Sequence, residues 1–182
     1  FALSNTNLFA GVGVTKANVV AGDFSSSSAK GFGLTGGSME LALFSDTTSN
    51  LSYTGLEASL SSATIYGLDA LQIAVTQLDI KYNTNSGSTT DPNLNWAGFD
   101  WSSSGLDIPN IDLALTSTDQ VSVEGDLTLN VAGVVLVSSH FGLTKKTDIT
   151  LTDGDSVTTG DQGYTGDLLT FALSDTNLFA GV

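Results

Sequence analysis

The sequence predicts an all-β protein built from antiparallel strands. Apolar and polar residues alternate with a period of two over long stretches, which are also rich in Val, Ile, Thr and aromatic residues. Clusters of Asp, Asn, Ser, Thr and Gly separate these stretches, and signals for helices are scarce. Because the separating turns have hairpin length, consecutive strands are expected to pair in antiparallel fashion.

The individual strands follow from this alternation. In the segment 71–82, Leu71, Ile73 and Val75 share one face, so its period is that of a strand and not that of a helix. The segment 133–137 is apolar at four consecutive positions and is therefore expected to be buried on both faces. Further strands are expected at 121–131, 147–152 and 168–173, with turns or loops at 25–28, 45–50, 83–93, 117–120, 153–155 and 160–163.

The two ends of the chain are nearly identical. Residues 1–12 and 171–182 agree at eleven of twelve positions, and the one difference is Asn5 against Asp175. Such agreement is not expected by chance. Residues 1–170 are therefore interpreted as one full repeat unit and residues 171–182 as the start of the next copy, in an array where each copy is completed by its neighbour.

The way in which copies join allows three architectures. They could stack into an elongated rod or one continuous sheet, form independent β-sandwich beads, or wind as a β-solenoid. No Pro-rich or charged linker appears where the copies would join, which favours the rod or continuous sheet. The apolar residues of the duplicated segments are the expected inter-repeat junction: Phe1, Leu3, Leu8, Phe9, Phe171, Leu173, Leu178 and Phe179.

The composition limits the partners of the chain. It holds 19 acidic residues against five Lys, no Arg and no Cys, with a formal net charge of −14. Binding to nucleic acid or to an anionic membrane surface needs cations that this chain lacks, so neither partner is expected. No apolar run approaches the length of a membrane span, and neighbouring copies of the same chain are the expected partners.

No arrangement of residues indicates catalysis. The single histidine, His140, lies beside an apolar strand, and nothing selects one serine as its partner nucleophile. The three glutamates, Glu40, Glu57 and Glu124, each fall on the polar face of an alternating strand, as solvated residues do. The motif G-x-G-x-x-G at 31–36 precedes a strand and not a helix, so it does not predict a nucleotide site. We therefore expect a protein that is not an enzyme.

Four carboxylates near the C-terminus suggest a calcium site. Asp153, Asp155, Asp161 and Asp167 lie within 15 residues and are interspersed with glycines that would let backbone carbonyls converge. The spacing matches neither the EF-hand loop nor the nonapeptide β-roll repeat. Ordinary Asp-Gly turns on an acidic surface are the alternative interpretation.

An aromatic cluster is the candidate ligand site. Trp96 and Trp101, with Asp100 between them, could stack on a sugar ring and bind its hydroxyls. On one strand, residues five positions apart face opposite sides, so at least one of the two tryptophans is expected in the core. A carbohydrate-binding module and packing within the protein both remain open.

The whole chain resembles the tandem-repeat regions of very large bacterial secreted or surface proteins of the adhesin or fibre kind. The resemblance rests on the duplicated ends, the absence of Cys, the acidic Asp/Thr/Ser/Gly-rich strands, and three recurring elements, each expected as a strand that ends in Ala-Leu, at Leu43, Leu115 and Leu173, and is followed by a turn. It implies a non-enzymatic extender in an extracellular filament or surface fibre, with calcium as its implied stiffening ion. A carbohydrate-binding adhesion module and a β-groove that carries an apolar ligand are the alternatives.

Overall fold

The computed structural model describes residues 1–68, 70–87, 91–99, 112–152 and 163–181. Within them seven antiparallel strands form one open sheet, in which the order across the sheet is the order along the chain. This confirms the all-β class and the antiparallel pairing, which differs from the parallel coils of a solenoid. The strands are β1 (Ala2–Val12), β2 (Lys30–Asp46), β3 (Leu51–Tyr66), β4 (Leu71–Asn85), β5 (Val121–Val131), β6 (Val135–Thr152) and β7 (Gly163–Ala180).

Two short helical segments lie outside the sheet. The helix α1 (Lys16–Ala21) follows β1, and a 3₁₀ turn covers Trp96–Gly98. The Thr15 hydroxyl accepts from the backbone N–H of Asn18, and the Asn18 side chain accepts from that of Thr15, so each caps the other at the start of α1. Gly22 ends α1 with a left-handed φ of 67°. The sequence analysis did not predict this helix.

The strand expected at 133–137 is the main error among the elements. Ala132 and Gly133 form a hairpin turn with φ of 52° and 72°, and β6 begins only at Val135. Val134 and Leu136 are exposed, so the segment is not buried on both faces. This apolar run thus spans a turn and the start of β6, at the end of a single-layered sheet. No described segment covers these residues.

Four residues near the middle of the sheet have left-handed backbone, namely Asn5 in β1, Gly36 in β2, Gln77 in β4 and Asp175 in β7, with φ between 48° and 61°. Where β4 meets β5 and where β6 meets β7, the register shifts by one residue at these positions. Each shift marks a β-bulge, which resets the side-chain alternation. Glycine, Asn and Asp tolerate left-handed φ better than most residues.

The bulges keep apolar residues on one face. β5 alternates without a bulge, so Val123 and Leu127 point the same way. A row of cross-strand pairs connects Val123 to Leu3, and another connects Leu127 to Leu8. Residues that are paired across strands point to the same face, so all four side chains share one side of the sheet. We call this side the apolar face and the other the polar face. One paired row of the apolar face is Leu3, Met39, Ala58, Ile80, Val123, Leu143 and Phe171. Two further paired rows are Ala10, Phe32 and Ile65, and Ile73, Leu129, Val137 and Leu178.

The small core lies on the polar face. Trp96, Leu113 and Leu115 are buried there against Ala42 of β2. A Cβ on Gly55 would lie 2.7 Å from the indole, so the ring can rest on β3 only because this residue is glycine. Residues 113–116, expected as a strand end, instead cross the sheet. The carboxylates of Glu40 and Glu57 accept from the backbone N–H groups of Asp112 and Ala114, both at 2.8 Å, and hold this segment in place.

Candidate functional site

The duplicated segments form the two edges of the sheet. Among the described strands, β1 pairs only with β2, and β7 pairs only with β6. Because the strands alternate in direction, β1 and β7 run the same way. The row of pairs that begins at Phe9 passes through Gly33, Thr64, Ala74, Thr128 and Ser138 and ends at Asn177, the copy of Asn7. Phe9 and its copy Phe179 therefore point to the same polar face.

The free edge of β7 thus corresponds to the edge with which β1 pairs with β2. Phe1 and Leu41 exchange two backbone hydrogen bonds of 2.8 Å, which directs the backbone of Phe1, and of Leu3 two residues on, toward β2. In β7, the carbonyl of Ser174 points to β6 and accepts from the Ser139 hydroxyl at 3.3 Å. Leu173, the copy of Leu3, therefore directs its N–H and C=O away from β6, toward the free edge.

The duplicated phenylalanines differ in their surroundings. The Phe9 ring lies 5.2 Å from that of Phe24 and 6.2 Å from that of Tyr66, both of which come from segments on the β2 side. Phe179 has the same direction and face, but 51% of it is exposed. The side of β7 that corresponds to the β2 side of β1 is its free edge, where no described strand lies. Among the described residues, Phe179 therefore has no neighbours equivalent to Phe24 and Tyr66.

The duplicated asparagines show the same difference. The Asn7 carbonyl oxygen accepts from the backbone N–H of Gly36, at 3.0 Å, and its amide nitrogen lies 3.4 Å from the Val20 carbonyl. The amide of its copy, Asn177, donates to the carbonyl of Asp175 within its own strand. Both contacts of Asn7 come from elements on the β2 side, which is again the side that β7 leaves open.

The bulges of the two edge strands coincide. Asn5 has a φ of 48° and its copy Asp175 a φ of 50°. The one position at which the duplicated segments differ therefore exchanges two residue types that both accept a left-handed backbone. β1 and β7 share one backbone shape, so a strand that fits beside β1 has the geometry to fit beside β7.

The register across the sheet is also compatible with continuation. The row from Leu3 ends at Phe171, the copy of Phe1, and the row from Phe9 ends at Asn177, the copy of Asn7. On both sides of the bulges, a row that starts at a residue of β1 thus ends in β7 two residues before the copy of that residue. At about 3.3 Å per residue and about 4.8 Å per strand, each six-strand step advances about 29 Å with a stagger of about 7 Å.

The parts of β2 and β7 that extend beyond the duplicated segments are also complementary. β2 extends beyond Leu41 by five residues, 42–46, which have no partner on the β1 side. β7 contains residues 163–170 ahead of the duplicated segment. In the β1–β2 register continued into a further copy, Leu169 would lie opposite the Leu43 of that copy. Both leucines are on the apolar face and are largely exposed, at 63% and 72%.

The expected junction residues lie on the two edge strands, except Phe1, which directly precedes β1, and they divide between the faces. Phe9 and Phe179 lie on the polar face. The others lie on the apolar face: Phe1, Leu3, Leu8, Phe171, Leu173 and Leu178. They therefore do not form one packed patch. The contacts of Asn7 mark the edge most clearly and were not predicted; the one signal for them in the sequence is the duplication itself.

The predicted calcium ligands are mostly outside the described residues. Asp153, Asp155 and Asp161 fall in 153–162, and only Asp167 is described. Its carboxylate lies 3.3 Å from the Lys145 ammonium, as an exposed ion pair. Among the described ranges, no group of three acidic, His or Cys side chains could hold a metal. The calcium site stays a prediction.

The aromatic cluster divides in a similar way. Trp96 is only 1% exposed, and its Nε1–H donates to the Asn83 carbonyl oxygen at 3.0 Å. Trp96 therefore cannot stack on a sugar, which corrects its assignment as a ligand contact and agrees with the alternative of core packing. Asp100 and Trp101 lie outside the described residues.

His140 pairs with a carboxylate on the polar face. Its Nδ1 lies 2.9 Å from Oδ1 of Asp126 on the neighbouring strand, and both side chains are exposed. In the part of the chain that the structure describes, no hydroxyl is hydrogen-bonded to the other ring nitrogen. The nearby Ser139 hydroxyl instead bonds to Thr176 and to the Ser174 carbonyl, so it contributes to sheet pairing.

Comparisons with known proteins do not place the chain in a family. No protein-family model, no curated protein and no solved structure matches the chain significantly. The described segments contain no helix that is long and apolar enough to cross a membrane.

Proposed function

We propose that this chain is a non-enzymatic structural repeat of an extracellular filament or surface fibre, in which successive copies share one continuous antiparallel sheet. In this arrangement β7 is the first strand of the following copy, and the β2 of that copy pairs with its free edge. The copies act as a stiff extender. The observation that carries the proposal is the pair Phe9 and Phe179, which share sequence, direction and face although only Phe9 has aromatic neighbours.

The junction would be stabilised by the same contacts that hold β1 to β2. The rings equivalent to Phe24 and Tyr66 would cover Phe179, and the N–H equivalent to that of Gly36 would bond Asn177. Burying one phenylalanine contributes about 1.5–3 kcal/mol, and each backbone hydrogen bond adds about 0.5–1.5 kcal/mol. Over a whole strand, coupling of several kcal/mol is expected, which would resist bending and separation between copies.

The edges of the sheet also support this arrangement over separate beads. An exposed edge strand invites uncontrolled pairing, and soluble proteins usually protect such edges with charges, prolines or covering segments. β7 has no proline and few charges, and nearly all of its 18 residues are exposed. Pairing with a following copy would remove this exposed edge from every unit in the array.

The test is the thermal stability of a two-copy chain, made of residues 1–182 followed directly by residues 13–182. Its Tm should exceed that of the single copy, because the second copy pairs with β7. A matched control joins two full 1–182 chains through a flexible Gly/Ser linker, so that each β2 already has its own β1. The control should melt like the single copy, and equal melting of all three chains would refute coupled repeats.

A further inference from the structure

The apolar face is an extended surface that no described segment covers. α1 and the loop that carries Phe24 lie on the polar face, as do Trp96 and the crossing segment 112–116. Apolar side chains occupy paired rows across all seven strands of the opposite side. Among the described residues, many of them stay largely exposed: Leu3, Leu8, Phe32, Leu43, Tyr82, Val131, Phe171, Leu173 and Leu178.

Charge is distributed unequally between the two faces. The polar face carries strand carboxylates across its middle, among them Glu40, Glu57, Asp79, Glu124 and Asp126. On the apolar face, the charged side chains that the strand pairing places lie toward the ends of strands. Lys30 is at one end, and the ion pair between Lys145 and Asp167 is at the other. The acidity of the chain therefore does not oppose contact between two apolar faces.

We propose that the apolar face binds the apolar face of a second copy of this chain, giving a two-layered sheet. Seven strands about 4.8 Å apart and about twelve residues long present roughly 1,150 Å² per sheet. Two such faces would bury about 2,300 Å², which exceeds the roughly 1,200–2,000 Å² of a standard stable interface. A surface of this size is otherwise rare on a monomeric protein.

A second copy fits this surface better than other partners do. Its own face is equally long, apolar and free of central charge, so a two-fold arrangement matches the surface with itself. Sheets pack about 10 Å apart, which leaves both polar faces and their covering segments on the outside. The strand carboxylates of the two copies would then be separated by more than the Debye length of about 8 Å at physiological salt. This face contact does not depend on edge pairing between successive copies.

The test compares neighbouring residues that point to opposite faces. Leu127 lies near the centre of the apolar face, and Thr128 is exposed on the polar face of the same strand. In sedimentation velocity, the 182-residue chain and Thr128→Glu should form dimers. Leu127→Glu should sediment as a monomer with unchanged far-ultraviolet circular dichroism, because it places a carboxylate in the contact.

Cross-linking provides a second measurement that does not depend on a charged substitution. Because the chain has no Cys, a single cysteine reports its own contacts. Under oxidising conditions, Leu127→Cys near the centre of the apolar face should form a disulfide-linked dimer, whereas Thr128→Cys on the polar face should not. A monomeric parent chain at all concentrations, or equal cross-linking of both variants, would overturn the proposal.

Two further outcomes distinguish this proposal from lipid binding and from the shared sheet between successive copies. If the parent chain is monomeric but floats with phosphatidylcholine vesicles, and Leu127→Glu does not, then the face binds lipid and the proposal of a second copy is wrong. If dimers depend on Leu127 while the two-copy chain gains no stability, the face contact holds and the shared sheet between successive copies fails.

Discussion

The indole Nε1–H of Trp96 donates a hydrogen bond of 3.0 Å to the side-chain oxygen of Asn83, and both residues are buried. The amide nitrogen of the same asparagine donates to the carbonyls of Leu94 and Thr116, at 3.0 and 2.8 Å. One side chain thus joins β4 to the two segments that cover the polar face. It accepts from the buried indole and donates to one backbone carbonyl in each of these segments.

Replacing Asn83 should therefore destabilise the fold strongly. In Asn83→Ala, the indole N–H loses this acceptor and the two carbonyls lose this donor, so we expect a loss of about 2–4 kcal/mol in the free energy of unfolding. Urea denaturation would measure it. The control is Gln72→Ala, an exposed position on the same strand, which should cost less than about 0.5 kcal/mol. Equal effects of the two substitutions would contradict the role of Asn83.

The turn after β2 should show a defined pH dependence. The Ser49 hydroxyl and the Thr48 backbone N–H donate to the Asp46 carboxylate at 2.6 and 2.8 Å, and these bonds lower the pKa of Asp46 below its ordinary value of 3.8. Because the pKa is lower in the folded state, the stabilisation is present above pH 3.8 and disappears as the pH falls through the folded value.

Asp46→Asn tests this turn. The variant should be less stable than the parent at neutral pH, and the two stabilities should converge below pH 3.8. Carbon-detected NMR of the Asp46 carboxyl would give its titration midpoint directly. A constant difference between the two chains across the acid range would mean that ionisation of Asp46 does not stabilise the turn.

The calcium prediction has a direct thermal test. If Asp153, Asp155 and Asp161 bind the ion, the Tm should be higher in calcium than in a chelator, because the ion binds only the folded state. Asp161→Asn should remove most of the difference, whereas Asp91→Asn, in a different loop, should leave it. An unchanged midpoint in chelator would end the proposal of a calcium site.

The sequence predicted those features that depend on local pattern. The period-two alternation of 121–131 matches β5 over its full length, and the duplicated segments fall on the two edge strands. The strand 168–173 was also expected, although β7 is three times as long. Such features need only the chemistry of neighbouring residues, which a single sequence contains.

The features that it did not predict depend on distant contacts. Residues 113–116 alternate like a strand, and only their packing on Trp96 and Ala42 makes them a cover over the sheet. Asn83 looks like a turn residue, yet it is buried because it satisfies the indole and two carbonyls. The bulge at Gln77 has no sequence signal, since glutamine does not favour left-handed backbone, and it is fixed by the register with β5.

Proline substitutions should distinguish the two sides of β7. The N–H of Leu173 faces the free edge, so Leu173→Pro should cost little in the single copy but reduce the extra Tm of the two-copy chain. The N–H of Ser174 faces β6, so Ser174→Pro should destabilise the single copy by about 1–3 kcal/mol. Thermal unfolding of both variants in both chains measures the difference. Equal costs for Leu173→Pro in the one-copy and two-copy chains would count against a shared sheet.

The duplicated phenylalanines give the sharpest comparison, because the same substitution can be made in two environments. In the single copy, Phe9→Ala removes a ring that packs on Phe24 and Tyr66, and should cost about 1–3 kcal/mol. Phe179→Ala in the same chain should cost less than about 0.5 kcal/mol, since its ring is half exposed without those neighbours.

In the two-copy chain, Phe179 becomes the Phe9 of the second copy and acquires that copy's aromatic neighbours. The cost of Phe179→Ala should therefore rise to match that of Phe9→Ala, because the ring is then buried between β7 and the loop that follows it. Urea denaturation of the four variants, two in each chain, gives both differences. If Phe179→Ala remains neutral in the two-copy chain, β7 does not serve as the first strand of the following copy, and the duplicated segment joins separately folded units.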